Sequence, residues 1–295
     1  MKEIYPQGEV CKLINNPIPL YKANANEKIR MHTLDCFGNR LRPNGDFRAL
    51  AKEVANPVTG PVEIAGAKAG DILRITIEDI QCGSIGFASC GSGFGVLAGE
   101  AWQDTQVFYE IKDGLITGSN LNRVPVQPVI GTIGTWPEKG EPLTVAPSYY
   151  GGNLDTLDIT KGSIIYLPVN VDGGMFFLGD LHALQGAGEM HGGGLECAGV
   201  IDVSFSVISD FKLPTPLVET SREIMTIASD INFDKAMQKA SQKMVAIVQQ
   251  INELSREDAL LYCSLLGHLR IGQVVNPGKT AVFALERQYL KREIC

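Results

Sequence analysis

The stretch Ile72-Leu-Arg-Ile-Thr-Ile-Glu-Asp-Ile80 alternates apolar and polar residues directly after a Gly70-Asp71 turn. Alternation with a period of two is typical of a β-strand that buries one face. Further strands are predicted at residues 106–111, 163–171 and 200–208, where apolar residues recur between turns. Because such segments fill the first two-thirds of the chain, the sequence predicts a mainly β fold.

Small residues mark the connections between these strands. Lys112-Asp-Gly114 precedes Leu115-Ile-Thr117 and predicts a hairpin through an Asp-Gly turn. The glycine-rich stretch at residues 83–95 resembles a phosphate-binding loop only in composition, because neither a Lys-Ser/Thr pair nor a helix pattern follows it. We interpret this stretch as a mobile loop or lid.

The last third of the chain has a helical pattern. Between residues 233 and 251, apolar residues recur at steps of three and four, which predicts an amphipathic helix of about five turns with Asn232 or Asp230 as its cap. A second helix is predicted from Ser255 to near Gly267.

Residues 270–286 then predict a closing β-hairpin. The sequence therefore predicts a mainly β region at 1–215 and an α+β region at 216–295 packed on it, with one compact unit as the alternative.

Composition and charge limit the partners and the location. The formal net charge is −7 and the 26 basic residues are scattered, so a nucleic-acid partner is not expected. No stretch approaches the roughly 20 apolar residues that span a bilayer, and the first residues lack the apolar core of a secretory signal. Seven widely spaced cysteines without a Cys-x-x-Cys pair indicate reduced thiols. We expect a soluble cytoplasmic protein that binds no membrane.

Candidate chemistry concentrates in Gly179-Asp-Leu-His-Ala-Leu-Gln-Gly-Ala-Gly-Glu189-Met-His-Gly-Gly-Gly-Leu-Glu196, which holds two of the four histidines. Carboxylates and imidazoles packed this closely, with few cations nearby, are costly to bury unless a divalent metal compensates their charge. Asp180 and His182 are two residues apart, so an extended strand projects both to one side. An oxygen and a nitrogen donor together suit Zn²⁺ or a similar borderline ion.

Two further segments offer similar groups. His32-Thr-Leu-Asp35 places an imidazole and a carboxylate before a Gly-Asn turn, and Gly151-Gly-Asn153-Leu-Asp155 places polar groups beside glycines. Taken alone, Asn and Asp beside glycine are usually turn formers.

These motifs, in this order, resemble the acetamidase/formamidase family. The resemblance rests on Asp35-Cys-Phe, Asn56-Pro-Val-Thr-Gly-Pro61, Gly70-Asp71, Gly151-Gly-Asn-Leu-Asp155 and the segment from Gly179 to Glu189, and it spans residues 28–290. It implies a mainly β enzyme, built as a jelly-roll-like β-sandwich or barrel with an α+β C-terminal part. It further implies hydrolysis of small aliphatic amides such as formamide or acetamide, bound metal ions and a homo-oligomer.

The resemblance also implies residue roles, since amide hydrolysis requires an activated water and a proton shuttle. Asp180, His182 and Asp35 are the expected ligands of a divalent metal, with Zn²⁺ favoured and Ca²⁺ as the alternative. Glu189 is the expected general acid and base, and His191 is a second catalytic candidate. Asn153 and Asp155 are the expected substrate-binding residues, and Asp155 is also a candidate ligand. Ala187 and the stretch at 190–194 depart from the family pattern beside this site.

Three alternatives remain open on sequence grounds. A cysteine amidase would use Cys36, beside Asp35, or Cys197, beside Glu196. A non-catalytic β-sandwich would bind a small ligand with a structural Ca²⁺, although only two tryptophans are available as binding platforms. A cupin-like site is disfavoured because no His-x-His pair occurs.

Overall fold

Strands form most of the regular structure in this computed structural model, which describes residues 1–209 and 212–293. The strands within those ranges are β1 (Lys2–Ile4), β2 (Tyr21–Ala23), β3 (Lys28–Thr33), β4 (Val58–Ile64), β5 (Ile72–Cys90), β6 (Thr105–Lys112), β7 (Leu115–Thr117), β8 (Val124–Pro125), β9 (Val129–Thr135), β10 (Gly151–Asn153), β11 (Ile164–Pro168), β12 (Phe176–Leu184), β13 (Leu195–Ile208), β14 (Leu217–Glu219), β15 (Glu223–Asp230), β16 (His268–Gln273) and β17 (Lys279–Glu286). The helices are α1 (Phe47–Glu53), α2 (Phe233–Asn252) and α3 (Arg256–Leu266), followed by a 3₁₀ turn at Arg287–Tyr289.

Strand β5 shows why the period-two pattern predicts burial. Leu73, Ile75 and Ile77 face the main apolar core, whereas Ile72 faces the helices on the opposite side. The predicted loop at residues 83–95 is wrong for residues 83–90, which continue β5, and residues 85–90 pair with β6. The glycine there serves packing, because a Cβ on Gly86 would lie 2.2 Å from a Leu195 methyl carbon.

The predicted Asp-Gly hairpin is confirmed between β6 and β7. Asp113 and Gly114 both have positive φ, 51° and 74°, as a two-residue turn between twisted strands requires.

Two central strands change partners along their length. Strand β13 pairs with β5 along one edge, and along the other it pairs first with β12 and then with β3. Strand β12 pairs with β9 along one edge, and along the other it passes from β4 to β13. The backbone hydrogen bonds therefore join these strands in one continuous sheet, and the partner exchange in β12 falls at residue 180.

The C-terminal part has the predicted α+β form, and the mainly β fold class is confirmed. The Asn232 side chain accepts from Lys235 N–H to cap α2, and Ser255 caps α3. Strand β17 packs on both faces, because Val282 joins the main core while Phe283 packs against α2 and α3.

The boundary proposed near residue 215 stays a prediction. Strand β14 pairs with β11 on one side and with β15 on the other, so the two regions share backbone hydrogen bonds. In the part of the chain that the structure describes, no helix combines the length and the apolar character needed to cross a membrane.

Candidate active site

The site forms where β12 exchanges one neighbour for another. Gly179 pairs with Val58 of β4, and Leu181 pairs with Cys197 of β13. Asp180 lies between them with a φ of 55°, in left-handed backbone that a strand residue seldom adopts. This local turn places the buried Asp180 side chain beside the buried His182, as the sequence spacing predicts.

Glu196 reaches the same point from β13, because it is the direct cross-strand partner of His182. The His182 Nε2 atom lies 3.1 Å from Glu196 Oε1 and 3.6 Å from Asp180 Oδ1. One imidazole nitrogen therefore faces two carboxylates, and all three side chains are buried.

Gln185 fixes which nitrogen of His182 carries hydrogen. Its Nε2 donates to the carbonyl oxygen of Asp155 at 2.8 Å, so its Oε1 faces His182 Nδ1, also at 2.8 Å. An amide oxygen only accepts, so Nδ1 is the protonated nitrogen. The remaining Nε2 of a neutral His182 then directs a lone pair towards the two carboxylates, the orientation that a metal ligand requires.

Side chains from other strands hold Asp180 in place. Asn56 Nδ2 donates to Asp180 Oδ2 at 2.6 Å, and the Thr132 hydroxyl lies 3.3 Å from the same oxygen. Gly131 of β9 lies opposite, where a Cβ would be only 2.7 Å from Asp180 Oδ2 and 2.6 Å from Asp155 Oδ1. Glycine at 131 therefore gives two carboxylates the room to approach each other.

Asp155 forms the back of the cluster. Its Oδ2 accepts from Asn276 Nδ2, which the β16–β17 hairpin supplies from 121 residues away. Its Oδ1 is buried and, within the described ranges, has no hydrogen-bond partner. The second oxygen of Glu196, Oε2, is buried and unpartnered in the same way.

The donor set fits a divalent metal. One donor atom from each of Asp155, Asp180 and His182 lies within 4.8 Å of the others, and the same holds for His182, Glu189 and Glu196. Neither lysine nor arginine is among the described residues that line the adjoining cavity. Four buried carboxylates beside one imidazole therefore need a cation, which the two unpartnered oxygens are free to bind.

Burial and charge change the ionisation of the cluster. Burial and then the charge of Asp180 raise the pKa of Asp155 to about 7. Burial and then the charge of Asp155 raise the pKa of Glu189 well above its ordinary value. Burial alone lowers the pKa of His182, but the charges of Glu196 and Asp180 raise it well above its ordinary value. Burial is thus the largest cause of the raised pKa values of Asp155 and Glu189, and repulsion from neighbouring carboxylates adds to it.

Backbone conformation is unusual at several site residues. Asn56, Asp155, Asp180 and Glu189 have φ of 50°, 44°, 55° and 48°. Non-glycine residues in left-handed backbone concentrate at functional sites, where the surrounding structure holds them.

The cluster opens into a cavity of about 310 Å³. Its polar lining includes Asn153, Glu189 and Asn276, and its apolar lining includes Phe37 and Phe47. Asn153 Oδ1 accepts from the Thr132 hydroxyl at 2.9 Å, so its Nδ2 is the group that can donate to a bound molecule.

Two glycine-rich segments, residues 91–95 and 190–194, meet over the cavity. Val96 N–H donates to the carbonyl oxygen of Met190, and Gly91 N–H donates to His191 Nε2 at 3.0 Å. A Cβ on Gly95 would lie 2.2 Å from Met190 O, so glycine permits this close approach. His191 thus lines the cavity with one nitrogen already accepting a hydrogen bond.

Asp35 is the predicted ligand that the structure does not bring to the cluster. Its Oδ1 accepts from the backbone N–H groups of Phe37 and Asn39, so it stabilises a local turn. Sequence reasoning did not assign site roles to Glu196, Gln185, Asn56 and Asn276. For Glu196 and Gln185, a signal was present in the glycine-rich segment that contains them.

Cys36 lines the cavity next to Glu196 but is not activated. Burial raises the pKa of its thiol well above the ordinary value, and the charges of Glu196 and Asp180 raise it further. A nucleophilic cysteine requires the opposite shift, so the geometry disfavours a cysteine amidase.

Comparison with known proteins agrees with the geometry. Residues 16–142 and 138–223 match the acetamidase/formamidase family. A formamidase of Methylophilus methylotrophus is 25% identical over 281 residues, covering 71% of this chain and 69% of that protein. The crystal structure of an acetamidase from Bacillus halodurans superposes with a TM-score of 0.94 at 34% identity, covering 97% of this chain and 98% of the other.

A second crystal structure, of a predicted acetamidase/formamidase from Thermoanaerobacter tengcongensis, superposes with a TM-score of 0.91 at 33% identity, covering 97% of this chain and 96% of the other. Both the sequence match and the structural matches extend over the strands that form the site. The chain therefore belongs to the acetamidase/formamidase family and is a hydrolase that acts on linear amides.

Proposed function

We propose that this protein hydrolyses a small aliphatic amide to a carboxylate and ammonia, with a divalent metal ion held by Asp180, His182 and Glu196. The observation that carries the proposal is the orientation of His182, whose Nε2 faces two carboxylate oxygens at 3.1 and 3.6 Å. Glu196 takes the ligand role that the sequence assigned to Asp35.

Zn²⁺ is the ion that these donors favour. Ligand atoms around a tetrahedral Zn²⁺, at bond lengths of about 2.0–2.2 Å, are separated by roughly 3.3–3.6 Å. The distances from His182 Nε2 to Glu196 Oε1, 3.1 Å, and to Asp180 Oδ1, 3.6 Å, are close to that spacing. Ca²⁺ takes six to eight oxygen ligands, and an imidazole nitrogen is a poor substitute for one of them. The chemistry that Zn²⁺ supplies when bound is Lewis acidity, which makes water acidic near neutral pH and polarises a carbonyl group.

Glu189 is proposed to move the proton. Its carboxyl group lines the cavity, and one of its oxygens lies within 4.8 Å of donor atoms of His182 and Glu196. From that position it can accept a proton from the attacking water and deliver it to the amide nitrogen. A carbon–oxygen bond forms, the carbon–nitrogen bond breaks, and the products are a carboxylate and ammonium.

Asn153 is proposed to position the substrate. His191 is proposed to position the segment at residues 91–95, which covers the cavity. The free Asn153 Nδ2 can donate to the amide carbonyl oxygen, while Thr132 holds its Oδ1. His191 holds the segment at 91–95 through Gly91. Asp155, held by a hydrogen bond from Asn276, is proposed as a further ligand through its unpartnered Oδ1.

Metal analysis together with ammonia assays tests the proposal. Purified wild-type protein should contain bound zinc and release ammonia from formamide or acetamide, and Asp180→Ala should lose both properties. Asp35→Ala is the matched control and should retain both, because Asp35 lies outside the cluster. A metal-replete Asp180→Ala protein with normal turnover contradicts the site assignment.

Inhibitors separate the metal mechanism from a cysteine mechanism. A chelator should abolish ammonia release and added Zn²⁺ should restore it, whereas iodoacetamide should have little effect because Cys36 is buried and protonated.

The cytoplasmic location and the homo-oligomer stay predictions. The six described cysteines are free thiols, which supports a reducing compartment.

A further inference from the structure

We propose that the preferred substrates are primary amides whose acyl group is an apolar chain of about four to six carbons, bound against an apolar wall of the cavity. This inference rests on the proposed function, because it concerns the group attached to the scissile carbonyl. The wall is formed by Phe37, Phe47, Ala51, Phe94 and Val275.

The cavity is larger than a one- or two-carbon amide needs. A water molecule takes about 30 Å³ in the liquid, so acetamide, with four non-hydrogen atoms, fills at most about 120 Å³ on that scale. The cavity volume is about 310 Å³. More than half of the space is therefore left for the metal ion, the attacking water and a longer acyl group.

The polar and the apolar residues that line the cavity come from different secondary-structure elements. Strands β10, β12 and β13 contribute the polar residues, including Asn153, His182 and Glu196. Helix α1 contributes Phe47 and Ala51, which lie on one helix face because they are four residues apart. An apolar surface of this kind recognises methylene groups and offers nothing to a formyl group.

Small side chains on α1 keep the apolar end open. Phe47 is buried in a cluster with Phe37 and Phe87, which anchors the helix, and Asp46 caps its first turn. Ala51, on the next turn, lines the cavity at its mouth and is exposed to solvent. A larger side chain at position 51 would occupy the space that we assign to the acyl chain.

The segment at residues 91–95, which lies at the apolar end of the cavity, contacts the same helix. The Arg48 guanidinium lies over the Phe94 ring at 4.8 Å and donates to the carbonyl oxygen of Ser92 at 2.8 Å. It also forms an ion pair with Asp104. Helix α1 and the segment at residues 91–95 therefore border the same side of the cavity mouth, where Ala51 and Phe94 are exposed.

A chain-length series tests the inference. Ammonia release from formamide, acetamide, butyramide and hexanamide should give kcat/KM values that rise about fourfold for each added methylene, as its burial predicts. Ala51→Leu should lower kcat/KM for hexanamide by about tenfold or more and leave acetamide nearly unchanged. Ala49→Leu is the matched control, because Ala49 lies on the same helix and is exposed like Ala51, but does not line the cavity.

Binding of the product-like acids hexanoate and acetate, measured by calorimetry on the metal-loaded protein, makes the test independent of turnover. Tighter binding of hexanoate, weakened by Ala51→Leu and not by Ala49→Leu, supports the apolar wall. If no amide releases ammonia but hexanoate still binds more tightly than acetate, the proposed function is wrong and the apolar wall is still supported. If acetamide is turned over faster than hexanamide and hexanoate shows no preference, the extra space holds only water and the inference is overturned.

Discussion

Two short segments, residues 35–39 and residues 180–196, look alike in sequence and differ in what their carboxylates can do. Both begin with an aspartate near glycine and asparagine or histidine. At Asp35, two backbone N–H groups already occupy one carboxylate oxygen. At Asp180, the Asn56 side chain donates to one oxygen, and a carboxylate oxygen lies within 4.8 Å of donor atoms of His182 and of a second carboxylate, Asp155.

The difference shows that neighbouring groups, and not residue type, make a carboxylate chemically available. A carboxylate that accepts local backbone N–H groups is a turn former, and it gains stability from that arrangement. A buried carboxylate that faces other carboxylates carries an electrostatic cost, which a bound cation relieves. The first kind is local, and the second requires the whole sheet.

Glu189→Gln tests the chemistry of the second segment and should have the largest effect. The amide keeps the shape of the side chain but removes the group that transfers the proton, so kcat should fall by about 10²–10⁴-fold. Steady-state ammonia release and zinc content, measured on the same sample, check this expectation. Loss of the metal in this variant would instead make Glu189 a ligand.

Gln185→Leu tests how the cluster holds its histidine. Leucine fills a similar volume, but His182 Nδ1 loses its acceptor, so zinc affinity should fall by about 10–100-fold. Competition with a chelator measures that affinity, and circular dichroism checks that the protein stays folded. An unchanged affinity would mean that the orientation of His182 does not depend on Gln185.

Asp35→Ala tests the first segment and should have the smallest effect on activity. Two backbone N–H groups lose their acceptor, so the free energy of unfolding should fall by about 1–2 kcal/mol. Urea unfolding measures this loss, while kcat/KM per folded molecule should stay at the wild-type value. A large loss of kcat/KM in a stable Asp35→Ala protein would remove the distinction between the two segments.

Local pattern was enough to predict the elements and part of the site. The alternation at residues 72–80, the Asp-Gly turn at 113–114 and the cap at Asn232 each depend on neighbours in the chain, and all three predictions are confirmed. Asp180 and His182 lie side by side as their spacing predicts, although the left-handed backbone at Asp180 departs from the extended strand that the prediction assumed.

Long-range register decided the rest. Glu196 opposes His182 only because β12 and β13 pair in one particular register, which is shifted by a bulge directly after His182. Alternation alone cannot distinguish that register from others. Asn56 and Asn276 reach the cluster across separations of 124 and 121 residues, which no local pattern encodes.

The left-handed backbone at Glu189 has a consequence for engineering. A non-glycine residue held in that conformation costs of order 1–3 kcal/mol, and glycine removes the cost. A laboratory selection for heat resistance alone will therefore enrich Glu189→Gly and discard the proposed proton carrier. Directed evolution of this scaffold should score ammonia production in every round, since thermal tolerance and turnover compete at this position.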